Sequence, residues 1–180
     1  MCIRDSPYTI AGQGTVGKEI LETNDDLDAI FVPVGGGGLL AGVSAWIAQN
    51  NKKIKIYGVE VDDSACLYEA LKANKRVRLK SVGIFADGVA VEQVGKNNFD
   101  VIKECIDGVI TVTIDEVCAA VKDLFEDTRV MSEPAGAVAL AGLKKYASKK
   151  KKNLLAISSG ANLNFDRSVS YTHLRAHETP

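Results

Sequence analysis

Apolar and polar positions follow two periods along this chain, and the two take turns. From Ala11 the segment GQGTVGKEILE reads as a Gly-rich turn feeding an amphipathic helix, with Val16, Ile20 and Leu21 on one face. Residues 29–34 (AIFVPV) form a short apolar run bounded by turn signals, the pattern of a strand buried on both faces of a parallel sheet. A glycine tract follows at once. LLAGVSAWIAQN then reads as a helix and 55–61 (KIYGVEV) as the next buried strand. Strand, turn, helix and strand in that order predict a right-handed crossover between parallel strands.

Further on, the pattern predicts a helix over 64–73, an irregular Gly-containing stretch over 83–90 (GIFADGVA), a helix near 97–106 and a strand over 109–113 (VITVT). Asp115 is expected to N-cap a helix over 116–128 whose apolar stripe is Val117, Ala120, Val121 and Leu124. Pro134 suits the first turn of a helix over 135–147. The Lys149 to Lys152 run after that helix reads as a solvated end whose charge complements the helix C-terminus. The last strand, 153–158 (NLLAIS), ends in the polar turn SGAN. Together these elements predict an α/β fold in three layers, an open and mostly parallel twisted sheet with helices on both faces.

The ends do not fit this series. Residues 1–6 (MCIRDS) and 169–180 (VSYTHLRAHETP) carry neither period and resemble translated sequencing-adaptor scars, so 7–168 is the expected domain segment. On that reading Cys2, His173 and His177 have no role. The two histidines are spaced to share a helix face but lack the glutamate that a metal motif such as HExxH requires.

Length and composition narrow the picture. A chain of 180 residues, 46% hydrophobic and 25% charged, is one globular domain or part of one. Its 22 Lys and Arg against 23 Asp and Glu give a net charge of -1, without the basic excess that nucleic-acid binding needs. No stretch reaches the roughly 20 apolar residues of a membrane span, and no secretory signal opens the chain. Cys2, Cys66, Cys105 and Cys118 form no CxxC pair, so neither zinc nor a disulfide framework is expected, and a reducing cytoplasm fits.

The candidate chemistry lies at strand ends. Gly35, Gly36, Gly37 and Gly38 stand between a buried strand and a helix, where backbone N–H groups can converge on an anion such as phosphate. Two guests remain open, because Gly36-x-Gly38-x-x-Ala41 also satisfies the dinucleotide fingerprint, with Glu60 placed to hold a ribose hydroxyl; that alternative is an NAD(P)-dependent oxidoreductase. Ser159 in the SGAN turn could hydrogen-bond a ring nitrogen of a cofactor whose phosphate sits in the glycine tract. Glu133, before Pro134, puts a carboxylate at a helix start. Asp87 and Gly88 lie in the irregular stretch.

VPVGGGGLLAG, VEVDDSACL, FADGVAVEQVG, DLFEDTR, SEPAGAVALAGLKKY and SSGANLNF, in this order from about Pro7 to Asp166, resemble the catalytic domain of the biosynthetic threonine dehydratases, which are fold-type II pyridoxal-phosphate enzymes. The resemblance implies the large part of that domain, with pyridoxal 5'-phosphate as cofactor. It implies deamination of L-threonine to 2-oxobutanoate and ammonia in isoleucine biosynthesis, with L-serine or a serine dehydratase or racemase activity as the alternative within the class. By the same resemblance, Gly35 to Gly38 and Leu39 match the loop that holds the cofactor phosphate, Ser159 the serine at the pyridine nitrogen, and Gly88 and Glu133 positions near the ring. The family's Schiff-base lysine lies upstream of GQGT and its regulatory domain follows the catalytic one, so no lysine of this chain is a candidate and the chain alone is expected to be inactive. Related serine racemases bind a divalent metal through a carboxylate matching Glu60 and a second that falls here at Cys66; no metal site is expected. A homotetramer is the implied assembly.

Overall fold

The computed structural model describes residues 5–147 and 153–162. Cys2, the Lys149 to Lys152 run, His173, His177 and the whole of 169–180 lie outside them.

Helix α1 (Pro7–Thr23) starts earlier than the sequence pattern predicts and absorbs the supposed Gly-rich turn. The hydroxyl of Ser6 caps it by accepting from the N–H of Thr9, and Pro7 occupies the first turn. Its glycines serve packing. A Cβ on Gly17 would come within 3.1 Å of the Val43 carbonyl oxygen, and one on Gly42 within 2.4 Å of that of Ile10. Close approach of α1 to α2 (Gly38–Asn50) thus offsets the roughly 1 kcal/mol that each helical glycine costs.

Strands β1 (Ala29–Pro33), β2 (Lys55–Val61), β3 (Gly108–Val112) and β4 (Leu154–Ala156) form one parallel sheet in the order β3-β2-β1-β4. The expected three layers are present. Ile30, Val32 and Ile56 pack against α1, α2, α3 (Cys66–Lys72) and α4 (Lys96–Cys105) on one face. Phe31, Val59, Val61 and Val112 pack against α5 (Ile114–Thr128) and α6 (Pro134–Tyr146) on the other. Alternate residues of β1 therefore serve opposite cores, which is why its sequence is apolar throughout.

Two helix starts differ from expectation. The segment 64–73 divides into a 3-10 turn at Asp62–Ser64 and α3, while α5 is capped by Thr113. Thr113 Oγ1 accepts the Glu116 N–H at 3.2 Å and the Glu116 carboxylate accepts the Thr113 N–H at 2.8 Å, so T-x-x-E is a capping box and Asp115 merely joins its first turn. At α4, the Asp5 carboxylate accepts from the N–H groups of Lys96 and Asn98 at 2.9 and 3.1 Å.

Chain order reverses at β1. From there the chain runs outward through β2 and β3 over one face, then returns over the other face to lay β4 on the opposite side of β1. The carboxyl ends of β1 and β4 thus flank a topological switch point, where ligands of open α/β sheets bind. Pairing of these two strands extends from Ala29 and Leu154 to Phe31 and Ala156, with Ile157 N–H donating once more to the Phe31 carbonyl. Pro33, which lacks a donor, sits just past this ladder, where the two strands part.

Candidate cofactor site

The parting strands open a cleft of about 250 Å³. Gly35, Gly36, Gly37, Gly38 and Leu39 line it from the end of β1, Ser159 from the end of β4, and Gly88 and Val89 from the segment beside α6. Seven of the eight predicted positions therefore share one cavity. Glu133 borders it, since a Cβ on Gly88 would lie 3.7 Å from Glu133 Oε1 and one on Gly160 only 1.9 Å away. Thr9 and Gln13 complete the wall from α1. Neither was expected, because Thr9 precedes the pattern read from Ala11 and Gln13 falls in the GQGT taken for a turn; their spacing of one helical turn beside Ile10 was the available signal.

The glycine loop presents donors because its carbonyls are occupied elsewhere. Cys66 Sγ–H donates to the Gly35 carbonyl at 3.8 Å, and Asn98 Nδ2–H to the Gly36 carbonyl at 2.7 Å. The Ala41 N–H donates to the Gly37 carbonyl at 2.9 Å as the first bond of α2. That leaves the N–H groups of Gly38, Leu39 and Leu40 without an intrahelical acceptor, at the positive end of the helix dipole. Gly37 has φ +87°, and a Cβ there would come 2.9 Å from Ile102 Cδ1, so glycine is required twice over. Gly36 faces open space.

This donor set suits a phosphate. A larger cleft of about 350 Å³ beyond β2 and β3 is lined by Asp62, Asp63 and Glu69 against Lys80 alone among its cations, a net negative lining that disfavours anions. Glu60 does not serve the cleft in the way the dinucleotide reading requires. It is fully buried, and its two carboxylate oxygens accept from the N–H groups of Leu67 and Tyr68, each at 2.8 Å, at the start of α3. Burial pushes its carboxyl up to about 7 against the pull of those two donors. Among the described residues no three His, Cys, Asp or Glu side chains group to hold a metal ion.

Ser159 stands across the cleft from the glycine loop, at the end of the neighbouring strand. Its turn is tied to α6: the Glu133 N–H donates to the Gly160 carbonyl at 3.2 Å, and buried Ser132 adds its Oγ–H to the same oxygen at 3.2 Å. The arrangement brings a glycine loop with free helix N–H groups, Ser159 and the side-chain-free Gly88 to the lining of one small cavity. A ring carrying a phosphate arm fits this donor set.

The family model for pyridoxal-phosphate dependent enzymes matches residues 3–160. The chain belongs to that family. Within it, the chain is 52% identical over 167 residues to a biosynthetic L-threonine dehydratase of Burkholderia multivorans and 54% identical over 164 residues to that of Pasteurella multocida, covering 91% and 89% of this chain. It spans about a third of the length of these curated relatives, 33% and 32% respectively. The processed form of threonine deaminase isoform 2 from Solanum lycopersicum superposes with a TM-score of 0.91 at 43% identity, covering 94% of this chain and 50% of that one. Serine racemase from Dictyostelium discoideum superposes with a TM-score of 0.81 at 36% identity, covering 89% of this chain and 52% of that one. The α/β sheet of this pyridoxal-phosphate family member is thus the fold of both. Among the described residues no helix is long and apolar enough to cross a membrane.

Proposed function

We propose that residues 7–168 form the cofactor-binding part of a threonine ammonia-lyase, which deaminates L-threonine, and L-serine as a second substrate, to the 2-oxo acid and ammonia. One observation carries the reading: the donor-rich glycine loop and Ser159 meet in one cleft, in a chain at least half identical to biosynthetic threonine dehydratases.

In this reading the N–H groups of the Gly35 to Leu39 loop and the α2 dipole hold the phosphate of pyridoxal 5'-phosphate. The bound cofactor supplies an electron sink for bond breaking at the amino acid's α-carbon. Ser159 Oγ–H donates to the ring nitrogen; a neutral hydroxyl keeps that nitrogen unprotonated, whereas a carboxylate would hold a proton there. Gly88 makes room for the ring, and Glu133 keeps a carboxylate at its edge. Thr9 and Gln13 bring polar groups from α1 to the substrate side.

The Schiff-base lysine belongs, in the same reading, to a segment upstream of residue 7, with a tetrameric assembly and a cytoplasmic location for the whole enzyme. Absorbance titration of the purified chain tests the cofactor: pyridoxal phosphate binds and NAD does not. Binding of NAD that is lost in Gly38→Asp, with no binding of pyridoxal phosphate, overturns the reading. Formation of 2-oxobutanoate by this chain alone would overturn the placement of the lysine.

A further inference from the structure

Behind the glycine loop, on the side away from the cleft, three elements meet. Cys66 opens α3 and is fully buried; Asn98 in α4 is fully buried as well. Glu60 at the end of β2 anchors the first of them, since its carboxylate caps the N–H groups of Leu67 and Tyr68. Burial pushes the Cys66 thiol up to about 12, so the sulfur keeps its proton and remains a donor at neutral pH.

The two side-chain donors reach successive carbonyls: Cys66 that of Gly35 and Asn98 that of Gly36, the latter oxygen accepting also from the Gly95 backbone N–H at 3.1 Å, so Asn98 reinforces a hold that the α4 entry begins. A trans peptide is planar, with its C=O and the following N–H pointing in opposite directions. Holding the Gly35 carbonyl against Cys66 therefore turns the Gly36 N–H the other way, and holding the Gly36 carbonyl against Asn98 does the same for the Gly37 N–H. A run of glycines has no side chains to fix these peptide planes and rotates more freely than any other sequence. Something outside the loop must choose the orientation.

We propose that Cys66 and Asn98 are positioning residues for the phosphate cradle, each pinning one peptide of the glycine loop so that its N–H faces the cleft. The assignment rests on the pyridoxal-phosphate reading for the ligand, but the pinning itself concerns the unliganded chain. Asn98 is the stronger pin, as an amide donor at 2.7 Å, and the thiol the weaker. The remaining oxygen of Asn98, Oδ1, is buried without a hydrogen-bond partner, so the side chain retains an unsatisfied acceptor while serving the loop.

The experiment compares the full chain with Asn98→Ala, Cys66→Ala, Cys66→Val and Cys66→Ser. Amide hydrogen exchange of the 35–39 segment is measured without ligand, and affinities are measured for pyridoxal phosphate, inorganic phosphate and unphosphorylated pyridoxal. Asn98→Ala is expected to raise loop exchange about tenfold and weaken both phosphate-bearing ligands about tenfold, with pyridoxal unchanged. Cys66→Ala and Cys66→Val are expected to do the same about threefold, and Cys66→Ser, which restores a donor, to return to wild type. Loop exchange equal to wild type in the folded donor-free variants overturns the proposal, as does an equal loss of pyridoxal and pyridoxal phosphate. If the wild-type chain binds no phosphate-bearing ligand, the cofactor reading fails, while loop exchange still decides the role of the two pins.

Discussion

The N–H of Glu133 donates to the carbonyl of Gly160 at 3.2 Å, joining the start of α6 to the turn that carries Ser159. The join is tight: a Cβ on Gly160 would fall 1.9 Å from Glu133 Oε1, and one on Gly136 would fall 2.2 Å from the Gly160 carbonyl oxygen. Gly160→Ala must displace either the Glu133 carboxylate or the Ser159 turn. A loss of pyridoxal-phosphate affinity of at least tenfold is expected, read by absorbance titration, with a loss of about 1–3 kcal/mol in folding stability by urea denaturation.

Neighbouring glycines of the cradle separate folding from binding. Gly37→Ala forces a side chain into a left-handed backbone and against Ile102, and is expected to cost about 1–3 kcal/mol of stability. Gly36→Ala meets nothing within 4 Å, so stability should hold within about 0.5 kcal/mol. Its methyl group crowds the cradle instead, and phosphate affinity is expected to fall about tenfold. Urea denaturation and phosphate titration of both variants check the contrast.

Glu60 makes stability depend on pH with a definite sign. Its carboxyl titrates near 7 in the folded chain and near its ordinary 4.5 when unfolded. Between those values the folded state binds more protons, so its contribution falls as pH rises from about 4.5 to 7 and is fully lost above. The change is on the order of 3 kcal/mol at most. Urea denaturation at pH 5 and pH 8 should show a smaller loss across that interval in Glu60→Gln than in wild type; equal losses would remove Glu60 as the source.

Thr113→Ala removes one half of the α5 capping box, and a loss of about 1 kcal/mol is expected by the same measurement. Asp115→Ala, at a first-turn position with no capping role, is expected to cost a few tenths of that.

The sheet, and the glycine loop between β1 and α2, were legible because burial on both faces forces apolar runs such as AIFVPV and a glycine tract breaks such a run before the next helix. Ser159 was legible for the same reason, as a polar residue at a strand end. Misreadings arose where glycine serves two purposes. Gly14 of GQGT looked like a turn residue, yet its missing side chain lets α1 lie against α2, and with that first part of the helix went Thr9 and Gln13. The T-x-x-E cap was visible in sequence but yielded to the aspartate beside it. Cys66 and Asn98 were beyond any local pattern: their partners Gly35 and Gly36 are 31 and 62 residues away along the chain, and packing alone brings them together.

The order of strands has a consequence for assembly. Thr9 and Gln13 stand near the beginning of the described chain and Ser159 near its end, yet all three border one cleft. That cleft is complete only when β4, three residues long and paired among the described residues to β1, has docked. A molecule held there bridges the earliest and latest segments, so it acts as a clasp on the strand with the least hold of its own, and its departure frees that strand to peel away first.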